Sequence, residues 1–202
     1  MTQCYLCGVE LINNKNKSKD HVPPDCIFPQ DKPLNLITVP CCIKCNKEYG
    51  KLDERMQNFF AILAGDKSAT VSQIARKKIL ISRKWREVFL SYTKEHPTLV
   101  DETGNRRLVF YFDDNELRTW LIRVVKGISY HLNKKRISDS AIYKVWIYPQ
   151  FIPQPSYTFP MEKGLEFRPY FVYGVKHEIN NDFWGLVFYD HLFFCVSVDV
   201  YD

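Results

Sequence analysis

The chain has 202 residues, 46% apolar and 15% aromatic, with a net charge of +5. That is enough for one large or two small domains with a real core. No run of about 20 apolar residues could span a bilayer. The opening residues are polar and soon reach Cys4, so no signal peptide is expected. A soluble, cytoplasmic protein with no membrane partner is the expectation.

Residues 1–60 read as a compact metal module. Residues 13–19 form a polar loop, and Pro23, Pro24, Pro29 and Pro33 forbid a long helix after it. Residues 36–39 read as a short strand and 43–55 as a helix. Residues 61–104 read as a basic helical segment. Its helix spans 72–95, with Ile74, Ile81, Trp85, Val88, Phe89 and Tyr92 at helical spacing and Arg76, Lys77 and Lys84 off that stripe. His96-Pro97 ends it. Residues 98–105 read as a linker with a Gly104-Asn105 turn.

Residues 105–202 read as an α+β domain. A strand over 107–112 precedes a helix over 115–133, capped by Asp113-Asp114 and burying Leu117, Leu121, Val124, Val125 and Ile128. A strand over 142–148 and a Pro-rich connection follow. The end reads as antiparallel sheet over 170–175, 183–189 and 192–200, with Asp190-His191 as a tight turn. The fold class is therefore α+β: an N-terminal metal module, a basic helical middle, and a C-terminal antiparallel sheet packed with a helix.

Charge is uneven. Residues 61–100 hold eight basic and three acidic side chains, and 151–202 hold three basic and seven acidic. The basic middle suits phosphate contacts, with Arg76, Lys77 and Lys84 as candidates, or a merely solvated helix surface.

Six of the seven cysteines fall within the first 45 residues. That clustering argues against a secreted disulfide framework. Cys4, Cys7, Cys42 and Cys45 make two C-x-x-C pairs, each able to present two thiolates to one tetrahedral zinc. Four thiolates leave no open position, so this zinc is structural. Cys26, Cys41 and Cys195 read as core residues. Asp20-His21 lies between the pairs: an imidazole near neutral pKa suits activation of water, and a carboxylate suits Mg²⁺. Adjacent residues of an extended segment point in opposite directions, so both serve one site only if the chain bends or the scissile phosphate lies between them. Asp53 lies about 10 Å along the helix from Asn46 and reads as a solvated residue. His131 stands near a helix end, where a cation is favourable.

The order C-x-x-C, Asp-His, Asn-Leu, C-x-x-C-Asn resembles the HNH endonuclease motif and its ββα-metal fold. The resemblance implies His21 as general base and Asn35 holding the base loop. Asp20 and Asn46 would then bind one catalytic Mg²⁺ or Mn²⁺. The third motif position is Asn46 rather than His, an HNN variant. Asp20-His21-Val22-Pro23-Pro24, Leu36-Ile37-Thr38-Val39-Pro40 and the segment 120–131 resemble standalone bacterial or phage HNH proteins. This implies phosphodiester hydrolysis with DNA favoured over RNA, a setting such as antiphage defence, and a protein partner such as a sensor or ATPase. The rival class is a zinc-stabilised module that binds nucleic acid or protein without cutting.

Overall fold

Exposed and buried positions alternate along Lys17–Val22, and this segment forms β1, antiparallel to β2 (Ile37–Cys42). The computed structural model describes residues 2–12, 15–28, 32–64, 98–100, 102–104, 106–108, 113–147, 163–167, 171–190 and 192–199. Ser18, Asp20 and Val22 face inward, while Lys17, Lys19 and His21 face solvent. The expected polar loop over 13–19 thus gives way to a strand at Lys17. Lys-Ser-Lys has little strand propensity of its own, and the pairing with β2 supplies the ladder.

After β1 the proline-rich stretch contains only a 3₁₀ turn, Asp25–Ile27, among its described residues. β2 runs directly into α1 (Ile43–Ala64), which continues beyond Arg55, where the sequence pattern weakens. Leu52, Met56 and Phe60, at spacings of four, are buried and carry the helix onward. α1 therefore passes the expected module boundary at residue 60.

The expected linker over 98–105 includes a strand. β3 (Thr98–Val100) pairs antiparallel with β4 (Arg106–Leu108), and Gly104 takes φ +82° in the turn between them. Of the strand expected over 107–112, only 107 and 108 are among the described residues. The basic helix expected over 72–95, with Arg76, Lys77 and Lys84, lies outside them.

α2 (Asp114–Asn133) is the helix expected at 115–133. The Asp113 carboxylate accepts the Asn115 backbone N–H at 2.8 Å, as an N-cap should. Lys134 takes the left-handed conformation at the other end and bonds back to the Tyr130 carbonyl. Leu117, Leu121, Val124, Val125 and Ile128 are all buried, with Trp120 beside them.

Strands β5 (Ile142–Ile147), β6 (Lys163–Phe167), β7 (Phe171–Glu178), β8 (Asn181–Phe188) and β9 (Leu192–Asp199) form one antiparallel sheet in the order β5-β9-β8-β7-β6. β6 was not legible: Lys163, Gly164 and Glu166 break any apolar alternation. The β8–β9 turn is made by Tyr189 and Asp190, both with positive φ (54° and 57°), one residue earlier than Asp190-His191. The fold is mixed α+β, with two α-helices and antiparallel sheets among the described residues.

One hydrophobic cluster joins the N-terminal module to the sheet. Phe60 of α1 meets Trp120 of α2 edge-on at 5.4 Å, and packs on Phe188 and Phe194 at 4.9 and 5.5 Å. The Tyr189 hydroxyl donates to the Ile27 carbonyl at 3.1 Å. α2 presses on β1 at Gly127, where an added Cβ would lie 2.5 Å from Val22 Cγ2.

Candidate functional site

The first C-x-x-C pair sits in a tight turn. The Gly8 N–H bonds to the Cys4 carbonyl at 2.9 Å, and Gly8 takes the φ of +73° that a side chain would resist. The second pair straddles the β2–α1 junction, where the Cys45 N–H points at Cys42 Sγ at 3.4 Å. β1–β2 pairing sets Cys42 opposite Lys17. The sulfurs of Cys4, Cys7, Cys42 and Cys45 all lie within 4.8 Å of one another. A tetrahedral zinc with Zn–S near 2.3 Å holds its sulfurs about 3.8 Å apart. Cys7 and Cys42 are already at 3.8 Å.

The electrostatics of the thiols fit the same donor set. A hydrogen bond from Cys41 holds the Cys4 thiol down to about 3. Burial pushes the Cys7 thiol up against a lowering Val9 backbone hydrogen bond, and burial with the Cys42 and Cys7 sulfurs pushes Cys45 up. A bound dication would favour the thiolate form at all four. The cluster is compatible with a zinc site. Cys41 is fully buried with its sulfur 4.0 Å from that of Cys4. It points to the other side of β2 from Cys42 and stands outside the four.

Asp20 lies at the centre of a buried polar network. Both its oxygens accept from Arg123 Nη2, each at 2.8 Å, and Oδ2 also accepts the Tyr5 hydroxyl at 2.5 Å. Arg123 is 2% exposed. Its Nη1 donates to Asp53 of α1, and Asp53 Oδ1 also accepts Trp120 Nε1 at 2.8 Å. The Tyr49 ring stacks under the guanidinium, 4.7 Å from centroid to Cζ. Burial works against the charge on Arg123, yet Tyr5, Asp20 and Asp53 hold its pKa above the ordinary value. Burial pushes the Asp53 carboxyl up in spite of Arg123 and Trp120. The guanidinium bridges the two carboxylates, Asp20 through Nη2 and Asp53 through Nη1. This network joins β1, α1 and α2.

The candidate catalytic residues are distributed around the hairpin. His21 is exposed on its outer face, opposite Thr38. Asn46, the residue after Cys45, lies on α1 against the inner side of β1, its amide donating to Ser18 Oγ at 2.8 Å and to the Lys19 carbonyl at 3.4 Å. Asp20 and Asn46 therefore share the inner side, and His21 does not. Asn35 is exposed in the turn before β2, and the register sets Thr38 rather than Asn35 opposite His21. Asp20 and Asn46, expected to share one Mg²⁺ or Mn²⁺, thus lie on the same side of β1, with the Asp20 carboxylate already held by the buried Arg123 guanidinium.

Arg123 is the residue that sequence reasoning did not find. Asp53 is not the solvated residue it resembled. A signal existed. Arg123 interrupts the apolar stripe of α2 between Trp120 and Val124, and Asp53 lies on the α1 stripe of Met56 and Phe60. Charges on buried helix faces call for a counter-ion.

No helix among the described residues is long and apolar enough to cross a membrane. Family models, curated proteins and solved structures yield no match to this chain.

Proposed function

We propose that the chain is an HNH-type endonuclease that hydrolyses phosphodiester bonds in DNA, with a structural zinc on Cys4, Cys7, Cys42 and Cys45. The observation that carries this reading is the arrangement of one short segment. A four-thiol cluster closes a hairpin bearing Asp20-His21, and α1 follows with Asn46 against β1. His21 is the candidate general base. It takes a proton from water as the water oxygen bonds to phosphorus and the P–O3′ bond breaks; the departing O3′ takes a proton from solvent, leaving a 5′-phosphate and a 3′-hydroxyl. Asp20 serves as a positioning residue, anchoring β1 through Arg123 while His21 faces solvent. Mg²⁺ or Mn²⁺ on Asp20 and Asn46 would share the Asp20 carboxylate with Arg123, and no step is assigned to such an ion.

A labelled DNA duplex, incubated with the full chain with and without Mg²⁺ or Mn²⁺, tests this. Cleavage with 5′-phosphate ends that disappears in a folded His21→Ala variant supports it. Cleavage undiminished in that variant removes His21 from the reaction.

A second reading is a zinc-stabilised module that binds nucleic acid or protein without cutting. It is favoured by the Asp20–Arg123 pair and by the placement of His21 and Asn46 on opposite sides of β1. Binding without cleavage under every metal condition would select it.

A further inference from the structure

We propose that the outer face of β1 is the surface that receives a nucleic-acid backbone, with Lys17 and Lys19 as its phosphate contacts. The proposal deepens the nuclease reading and rests on it for the role of His21. Strand alternation puts Lys17, Lys19 and His21 on one side of β1, all three exposed. Lys15, also exposed, leads into the strand from the preceding turn. The single carboxylate of the strand, Asp20, is turned inward and neutralised by Arg123. The outer face of β1 is therefore wholly cationic or neutral, and among the described residues no acid pairs with Lys15, Lys17 or Lys19.

Geometry adds to charge. Alternate residues of a strand repeat at about 6.6 Å. Lys17 and Lys19 are such alternate residues on one face, so their ammonium groups can reach neighbouring phosphates of one backbone. The lysines are held by a paired strand rather than a loose loop, since Lys17 and Lys19 lie opposite Cys42 and Pro40 of β2. Their line continues to His21. A backbone laid along β1 brings a phosphate to the imidazole from solvent, away from the buried Arg123 network. The inner side, filled by Asn46, Arg123 and Tyr5, gives no comparable access.

The test is binding of a fluorescent 20-base-pair DNA to the full chain, followed by anisotropy over a salt series without added Mg²⁺. Lys17→Gln/Lys19→Gln is compared with Lys144→Gln/Lys176→Gln, which removes the same charge from the C-terminal sheet. The β1 pair is expected to lose about tenfold or more in affinity and to lower the salt slope by about two, one per phosphate contact. The sheet pair is expected to change affinity less than about threefold. Equal loss in both variants overturns the proposal, since net charge alone would explain it. So does wild-type affinity in the β1 variant, or no DNA binding by the wild type. Failure of the nuclease reading looks different: β1-dependent binding with no cleavage leaves this surface standing, whereas His21-dependent cleavage unaltered in Lys17→Gln/Lys19→Gln removes the surface and keeps the nuclease.

Discussion

Arg123 Nη2 sits 2.8 Å from both oxygens of Asp20, in a place where neither group meets water. The two residues are more than 100 positions apart in sequence. Their contact fastens β1 of the metal module to α2, and it determines what Asp20 can do. The guanidinium places a buried positive charge directly beside the Asp20 carboxylate.

Removing Arg123 should therefore be costly. Arg123→Met leaves two buried carboxylates without their cation, and a loss of about 3–5 kcal/mol is expected in urea denaturation. Asp20→Asn/Arg123→Met should lose less than the two single variants combined. Strict additivity would show that the pair does not couple.

Asp53 gives a pH-dependent expectation. Its folded-state pKa is raised, chiefly by burial, so ionising it costs folding stability as pH rises through and above the ordinary carboxyl range. Asp53→Asn has no such cost. The stability of Asp53→Asn minus that of the wild type should grow as pH rises from about 4 toward neutrality. A difference that shrinks over that window would mean that the Arg123 pair outweighs burial.

The thiol cluster predicts one zinc per chain, measurable by elemental analysis. Cys42→Ser should lose that zinc and unfold the hairpin, because binding energy and folding energy are linked at such a site. Cys41→Ser should keep it, with at most a modest stability loss. Zinc loss in Cys41→Ser with retention in Cys42→Ser would reverse the ligand assignment.

Gly127 marks where α2 approaches β1. An alanine Cβ there would lie 2.5 Å from Val22 Cγ2, so something must shift. Gly127→Ala should cost about 1–3 kcal/mol by thermal or urea unfolding, despite the better helix propensity of alanine. Val22→Ala should recover part of that loss. An unchanged or raised stability for Gly127→Ala would contradict this packing.

The parts of the fold that were legible in the sequence share a local cause. α2 announced itself by a capping aspartate and a sustained apolar stripe, and the C-terminal strands by dense β-branched and aromatic runs. The cysteines declared their cluster through spacing alone. β1 was hidden because its outward positions are Lys17, Lys19 and His21 and its pairing partner lies about 20 residues on. β6 was hidden by Gly164 and its charged neighbours. The Asp20–Arg123–Asp53 network was only half legible: Arg123 and Asp53 stand on apolar helix stripes and so call for a counter-ion, but only tertiary packing brings the three together. The motif indicated that Asp20 and His21 matter, but strand alternation decided that they face opposite ways.

The most direct test of the central claim is cleavage of supercoiled plasmid by the zinc-loaded 202-residue chain, with added Mg²⁺ or Mn²⁺, beside His21→Ala of equal zinc content and equal stability. The account predicts conversion to nicked or linear DNA by the wild type and none by His21→Ala. Equal cutting by both would contradict it, and intact plasmid with both would leave the module as a binder that does not cut.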